Sequence, residues 1–114
     1  MVEEMKRAVA SAVSSVVNVY STYPQKQTEV PCATLDVVTM TADRYTGAEM
    51  RNCLVRISIF SDNRLELDQL VDNVIDALKT SSLLYLGVSS MSPIMPFDRF
   101  YKRDIDIKVV EITE

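Results

Sequence analysis

Between Arg56 and Lys79 two hydrophobic periods meet across one short polar turn, and few folds accommodate both. In Arg56-Ile57-Ser58-Ile59-Phe60-Ser61-Asp62 the aliphatic residues alternate, the period of a strand that buries one face. From Leu65 to Lys79 the apolar residues Leu67, Leu70, Val71, Val74, Ile75 and Leu78 form a continuous helical stripe, with Glu66, Asp68, Asp72, Asn73, Asp76 and Lys79 on the opposite side. Asn63 stands where an N-cap is needed, and Glu66 follows at the capping-box position. A strand leading directly into an amphipathic helix requires a helix packed on a sheet.

The rest of the chain supplies further elements of the same two kinds. Met5, Val9, Ala12, Val13, Val16 and Tyr20 recur at helical spacing, so a first helix is predicted from Glu3 to Tyr20, with Tyr20 closing its apolar stripe. Its many valines and serines give it low intrinsic propensity, so it depends on packing. Thr22 to Glu29 is polar, carries Pro24 and reads as a loop. Strands are predicted over Cys32–Thr41 and Glu49–Ser61, joined through turn chemistry at Asp43 to Gly47 as an antiparallel hairpin. A third strand follows over Leu83–Met91, with Leu84, Leu86 and Val88 aligned, and a fourth over Phe100–Ile112. In the fourth, Ile105, Ile107 and Val109 alternate with charge until the parity flips at Val110, which either a bulge or burial on both faces explains.

The order helix-strand-strand-helix-strand-strand predicts one α+β domain, an antiparallel-rich four-stranded sheet with two helices on one face. A right-handed crossover is expected from the second strand through the second helix if the strands it joins are parallel neighbours. At 114 residues there is room for one core and not for two comfortable ones.

Chemistry is constrained mainly by what is missing. The chain has no histidine, which removes Ser-His and Cys-His nucleophile pairs and the usual ligand of catalytic zinc. Two glycines cannot form a glycine-rich phosphate loop. The net charge is −4 and the basic residues are scattered, so binding of phosphates by charge alone is not expected. Cys32 and Cys53 fall in predicted strands, and a turn near Gly47 puts them out of register, so both read as reduced, buried thiols. Asp104 and Asp106 share a strand face and in principle could hold a cation, but a solvated strand face is the preferred reading. No catalytic residue, metal or cofactor is expected. With charges in place of an apolar leader region and no long apolar run, the expected site of synthesis is the cytosol.

Two segments stand out as candidates for contact. Arg44 and Tyr45 lie in the predicted loop Ala42 to Ala48, flanked by Asp43 and Glu49, where a monomer core cannot easily absorb them. They read either as an interface or as a loop packed on its own domain. Met91, Pro93, Ile94, Met95, Pro96 and Phe97 form an apolar run without period, read as a tucked hairpin loop in preference to a surface covered by another subunit.

The leading helix, the Pro24 loop, the lead-in Val30-Pro31-Cys32-Ala33-Thr34-Leu35, the strand Val55-Arg56-Ile57-Ser58-Ile59-Phe60-Ser61 and its helix resemble small tail terminator, or tail completion, proteins of long-tailed bacteriophages. The resemblance covers about Tyr20 to Ile112 and is one of pattern, without fixed catalytic letters. It implies a structural virion protein at the head-proximal end of the tail, made in the host cytoplasm, forming a homo-oligomeric ring, typically a hexamer. Such a ring caps the tail tube, stops its polymerisation and joins it to the head. The implied partners are further copies of the chain, the tail tube protein and a head completion or connector protein. DNA passes through the lumen without specific binding, and no membrane is involved. Asp43, Arg44, Tyr45 and Glu49, with the sheet edges, are the expected ring and tube contacts. The alternatives are another head-tail connector (neck) protein, or a small adaptor domain that binds a partner by sheet-edge addition.

Overall fold

The computed structural model describes residues 2–20, 30–45, 48–81, 84–97 and 99–113, with side-chain surroundings for all of these except 2–4, 42–45, 48–49, 84 and 111–113. The elements run α1 (Val2–Ser14), β1 (Asn18–Tyr20), β2 (Cys32–Tyr45), β3 (Ala48–Ser61), α2 (Arg64–Thr80), β4 (Leu84–Met91), β5 (Met95–Phe97) and β6 (Phe100–Thr113). They form an α+β structure in which both helices lie against one face of a mixed six-stranded sheet, ordered β1-β2-β3-β6-β4, with β5 on the same edge of β6 as β4. The predicted four-stranded sheet is thus corrected to six. The two additional strands are short, three residues each, and one of them pairs in parallel.

The first helix ends earlier than its apolar spacing predicts. Val16 and Val17 donate their amides to the carbonyl of Val13, and the chain then extends so that Asn18, Val19 and Tyr20 pair with Cys32, Ala33 and Thr34. Valines at positions 16, 17 and 19 favour a pleated backbone over a helix. Met5, Val9, Val13 and Val17 remain buried, but Tyr20, predicted to close the stripe, is 37% exposed on the sheet edge. The predicted loop of Thr22 to Glu29 lies outside the described residues.

The second helix matches its expectation closely. Asn63 has an extended backbone and accepts hydrogen bonds from the amides of Leu65 (2.9 Å) and Glu66 (3.2 Å). The capping box is completed through an intermediary: the Asn63 amide donates to Ser61 Oγ (3.1 Å), whose hydroxyl donates to Glu66 Oε1 (2.9 Å). Leu67, Val71, Val74 and Leu78 are buried. Burying such side chains stabilises by roughly 1.5–3 kcal/mol each, more than the propensity differences along the helix.

The hairpin of β2 and β3 is longer than predicted. Asp43 pairs with Met50, Arg44 with Glu49 and Tyr45 with Ala48, leaving only residues 46 and 47, outside the described part, between the strands. The supposed loop from Ala42 is therefore strand as far as Tyr45, because ladder hydrogen bonds satisfy backbone groups that a wide loop would leave to water. One bulge interrupts the pair at Val38. Strands of 14 residues should span about 47 Å, and the molecule measures 50 × 23 × 22 Å, so its long axis is the strand direction.

Sheet order also changes the crossover. β3 and β4 both run antiparallel to β6, which lies between them, so the strands joined by α2 are parallel without being neighbours. Along β6 the register with β3 is unbroken from Tyr101 to Thr113. The parity flip at Val110 therefore needs no bulge: Val109 is buried on the helix side and Val110 is half-buried on the other. The bulges lie in β4 instead, on either side of Gly87, whose φ of +120° is a conformation that L side chains rarely adopt. They break the predicted alignment of Leu84, Leu86 and Val88. Tyr85 packs on the core, whereas Leu86 is 63% exposed.

Candidate interaction surface

The helix side of the sheet is filled. Ala33, Cys53, Val55, Ile57, Ile59, Ile105, Ile107 and Val109 meet the helix stripes in one core. Alternation sends Thr34, Arg56, Ser58, Phe60, Lys102, Asp104, Asp106 and Lys108 to the other side, which no described helix covers. Thr34, Ser58 and Asp106 are nevertheless buried there. A polar ladder covers them. Arg56 donates to both carboxylate oxygens of Asp106, and Ser90 Oγ donates to Oδ2 at 3.3 Å. Ser58 Oγ donates to Asp104 Oδ1 at 2.7 Å, and Lys102 approaches the other oxygen of that carboxylate at 3.6 Å. The Asp106 carboxyl is held below the usual carboxylate range, chiefly by the Arg56 hydrogen bond. The face predicted to be solvated is thus an interlocked set of charges, and both aspartates spend their oxygens on neighbours.

One end of this face is closed by β5. Phe97 meets the buried Phe60 edge-on at 5.3 Å between centroids, and Lys102 lies over the Phe97 ring. Ser92 ties the corner before β5 to β6: its amide donates to the Asp104 carbonyl and its hydroxyl accepts from the Asp104 amide, each at 2.9 Å. Arg103 donates to the Ser92 carbonyl and to Asp68 on α2. Of the apolar run from Met91 to Phe97, Ile94, Met95 and Phe97 are half-buried, the last two within β5 and not in a loop, whereas Met91, Pro93 and Pro96 are exposed, so the run is tucked only in part.

Toward the other end the face is hollowed into a groove of about 360 Å³ lined from all four long strands, by Thr39 and Thr41 of β2, Leu54 of β3, Lys108 of β6 and Leu86 of β4. A second concavity of about 690 Å³ lies between Arg7, Ser11 and Ser14 of α1 and Asn18 to Tyr20 of β1. The two outer edges of the sheet differ. Among the described residues no strand pairs with the outer side of β2 beyond Thr34, and β4 is the outer strand on the opposite side. Of the exposed large apolar residues, Tyr20, Val38 and Met40 lie on the β1–β2 edge and Leu86, Val88 and Met91 on β4. Among the described residues only Leu65 lies elsewhere.

Of the residues singled out from sequence, Asp43, Arg44 and Tyr45 fall on β2 and Glu49 on β3. Arg44 and Glu49 occupy directly opposed positions near the tip of the hairpin, with Asp43 and Tyr45 on either side of Arg44, while their side chains lie outside the described part. Sequence reasoning did not find the exposed apolar residues of the edges or the Arg56–Asp106 pair. Arg56 and Asp106 could be placed on mixed strand faces, but only the β3–β6 register sets them side by side. Among the described residues no three metal-ligating side chains come together. Both cysteines are buried and neither is in a disulfide, and burial pushes the Cys32 thiol up to about 11, which leaves it little nucleophilic character. No described helix is long and apolar enough to cross a membrane. No protein-family model matches the chain, and no curated protein matches its sequence.

Proposed function

We propose that the chain is a structural subunit of the tail terminator type, assembling into a ring, typically a hexamer, that caps a phage tail tube, stops its growth and joins it to the head. The observation that carries this reading is the distribution of exposed large apolar side chains: among the described residues, all but Leu65 lie on the two outer edges of one sheet, whose helix side is filled by the core. A ring subunit needs two different, mutually complementary surfaces on opposite sides, and the two unlike edges meet that need. Asp43, Arg44, Tyr45 and Glu49 lie near the tip of the β2–β3 hairpin, and their place at one end of the sheet supports assigning them to the contact with a neighbour or the tube.

The test is functional and visual. Purified protein, alone or mixed with growing tail tubes, should form uniform rings by negative-stain microscopy and arrest tube elongation. Tubes that grow without limit in its presence would defeat the proposal. The open β2 edge also favours a second reading, an adaptor that captures an extended peptide by strand addition. A monomer that binds one extended peptide and has no effect on tubes would favour that reading.

A further inference from the structure

We propose that copies of this chain join edge to edge through their sheets, the outer strand β2 of one pairing with β4 of the next, head to tail. The inference deepens the ring reading and rests on it for the number of copies, though not for the contact itself. β2 runs antiparallel to β3, β3 to β6 and β6 to β4, so β4 points opposite to β2. A copy set beside the first with its helices on the same side therefore brings β4 antiparallel to β2, and the alternation of the sheet continues across the junction.

No described strand occupies the outer side of β2 beyond Thr34, a further strand there would pair its ladder groups, and both outer strands carry exposed apolar side chains. Head-to-tail pairing covers Val38 and Met40 with Leu86, Val88 and Met91 in one contact. A two-fold pairing of β2 with β2 would leave the β4 set in water. Size fits as well: a strand of eight residues spans about 27 Å, and across the 22 Å thickness of the molecule this is roughly 600 Å² per side, near the ~800 Å² of a standard interface.

Within one copy, β4 is level with Leu35–Thr41 of β2 through the registers with β6 and β3, so a copy set alongside without a step along the strands brings Leu86, Val88 and Met91 against the stretch that carries Val38 and Met40.

The experiment joins the two edges covalently. The double variant Met40→Cys/Val88→Cys, treated with a short bismaleimide, should give a ladder of covalent multimers ending at the size of the native oligomer. Each single variant, and the wild type with its buried thiols, should stay at monomer mass on a denaturing gel. Dimers from Met40→Cys alone, no ladder from the double variant, or a monomer at every concentration by sedimentation would each overturn the proposal. Cross-linked rings that leave tail tubes unaffected would instead overturn the phage reading and leave the edge pairing standing. Rings that arrest tubes without any β2–β4 cross-link would do the reverse.

Discussion

Arg56 grips Asp106 with two parallel hydrogen bonds, Nε to Oδ1 at 2.9 Å and Nη2 to Oδ2 at 3.1 Å, on the sheet face that no helix covers. The aspartate side chain is 12% exposed and the arginine 43%, so the carboxylate depends on this partner more than the guanidinium does. Because the folded carboxyl titrates below its unfolded value, its contribution is complete above about pH 4 and is lost as pH falls through the folded pKa. Chemical denaturation of wild type and Asp106→Asn between pH 2 and pH 7 should show the variant less stable by about 1–2 kcal/mol at neutral pH, with the gap narrowing in acid. An equal gap at all pH values would show that the pair acts through shape alone.

Asn63→Ala should destabilise the domain by about 1 kcal/mol, the usual cost of losing an N-cap. Ser61→Ala should also destabilise it, since Ser61 relays the Asn63 amide to Glu66. The two losses should be less than additive in the double variant, because both act on the same first turn. Urea midpoints for the three proteins measure this.

Removing Phe97 uncovers Phe60, which is fully buried on the otherwise helix-free face. Phe97→Ala is expected to cost roughly 2–3 kcal/mol, below the range for a fully buried phenylalanine because Phe97 itself is only half-buried. Phe97→Leu should restore most of it. Thermal unfolding of the two variants provides the comparison.

Gly87→Ala separates space from conformation. No atom lies within 4 Å of where the Cβ would stand, yet φ is +120°. The expected loss is about 1–2 kcal/mol from backbone strain alone, measured by denaturant titration. Unchanged stability would mean that β4 shifts its bulges to accept the side chain.

Arg44→Ala/Tyr45→Ala should weaken assembly while leaving the monomer folded, because the pair lies at the hairpin tip, remote in register from the core residues Ile57 and Ile59. Sedimentation of the oligomer, with circular dichroism as the folding control, would show it. Unchanged rings with full tube arrest would remove these residues from the contact.

Local periods explain why so much of the fold was legible. The stripe of α2, its Asn63 cap and the alternation through Ile57, Ile59, Ile105 and Ile107 are set by residues a few positions apart, so they survive in any tertiary context. Tyr20 was misjudged because its helical spacing was real but its valine-rich neighbourhood found better hydrogen bonding along β2. The edge residues were not legible at all. Val88 and Ile107 look alike in sequence, and only their places in the sheet leave one 38% exposed and bury the other.

By itself, then, the sequence determined the second helix and the four long strands, which face of α2, β3 and β6 is apolar, and that no histidine-based chemistry is available. Tertiary structure alone decided that Asn18–Tyr20 is strand and not helix, that β6 enters between β3 and β4, that Arg56 meets Asp106 across 50 residues of chain, and that exposed apolar residues gather on β2 and β4. The physical reason is that a strand's period fixes what it must bury but not beside whom. Neighbour and register follow from which arrangement of distant segments hides the most apolar surface while pairing the backbone.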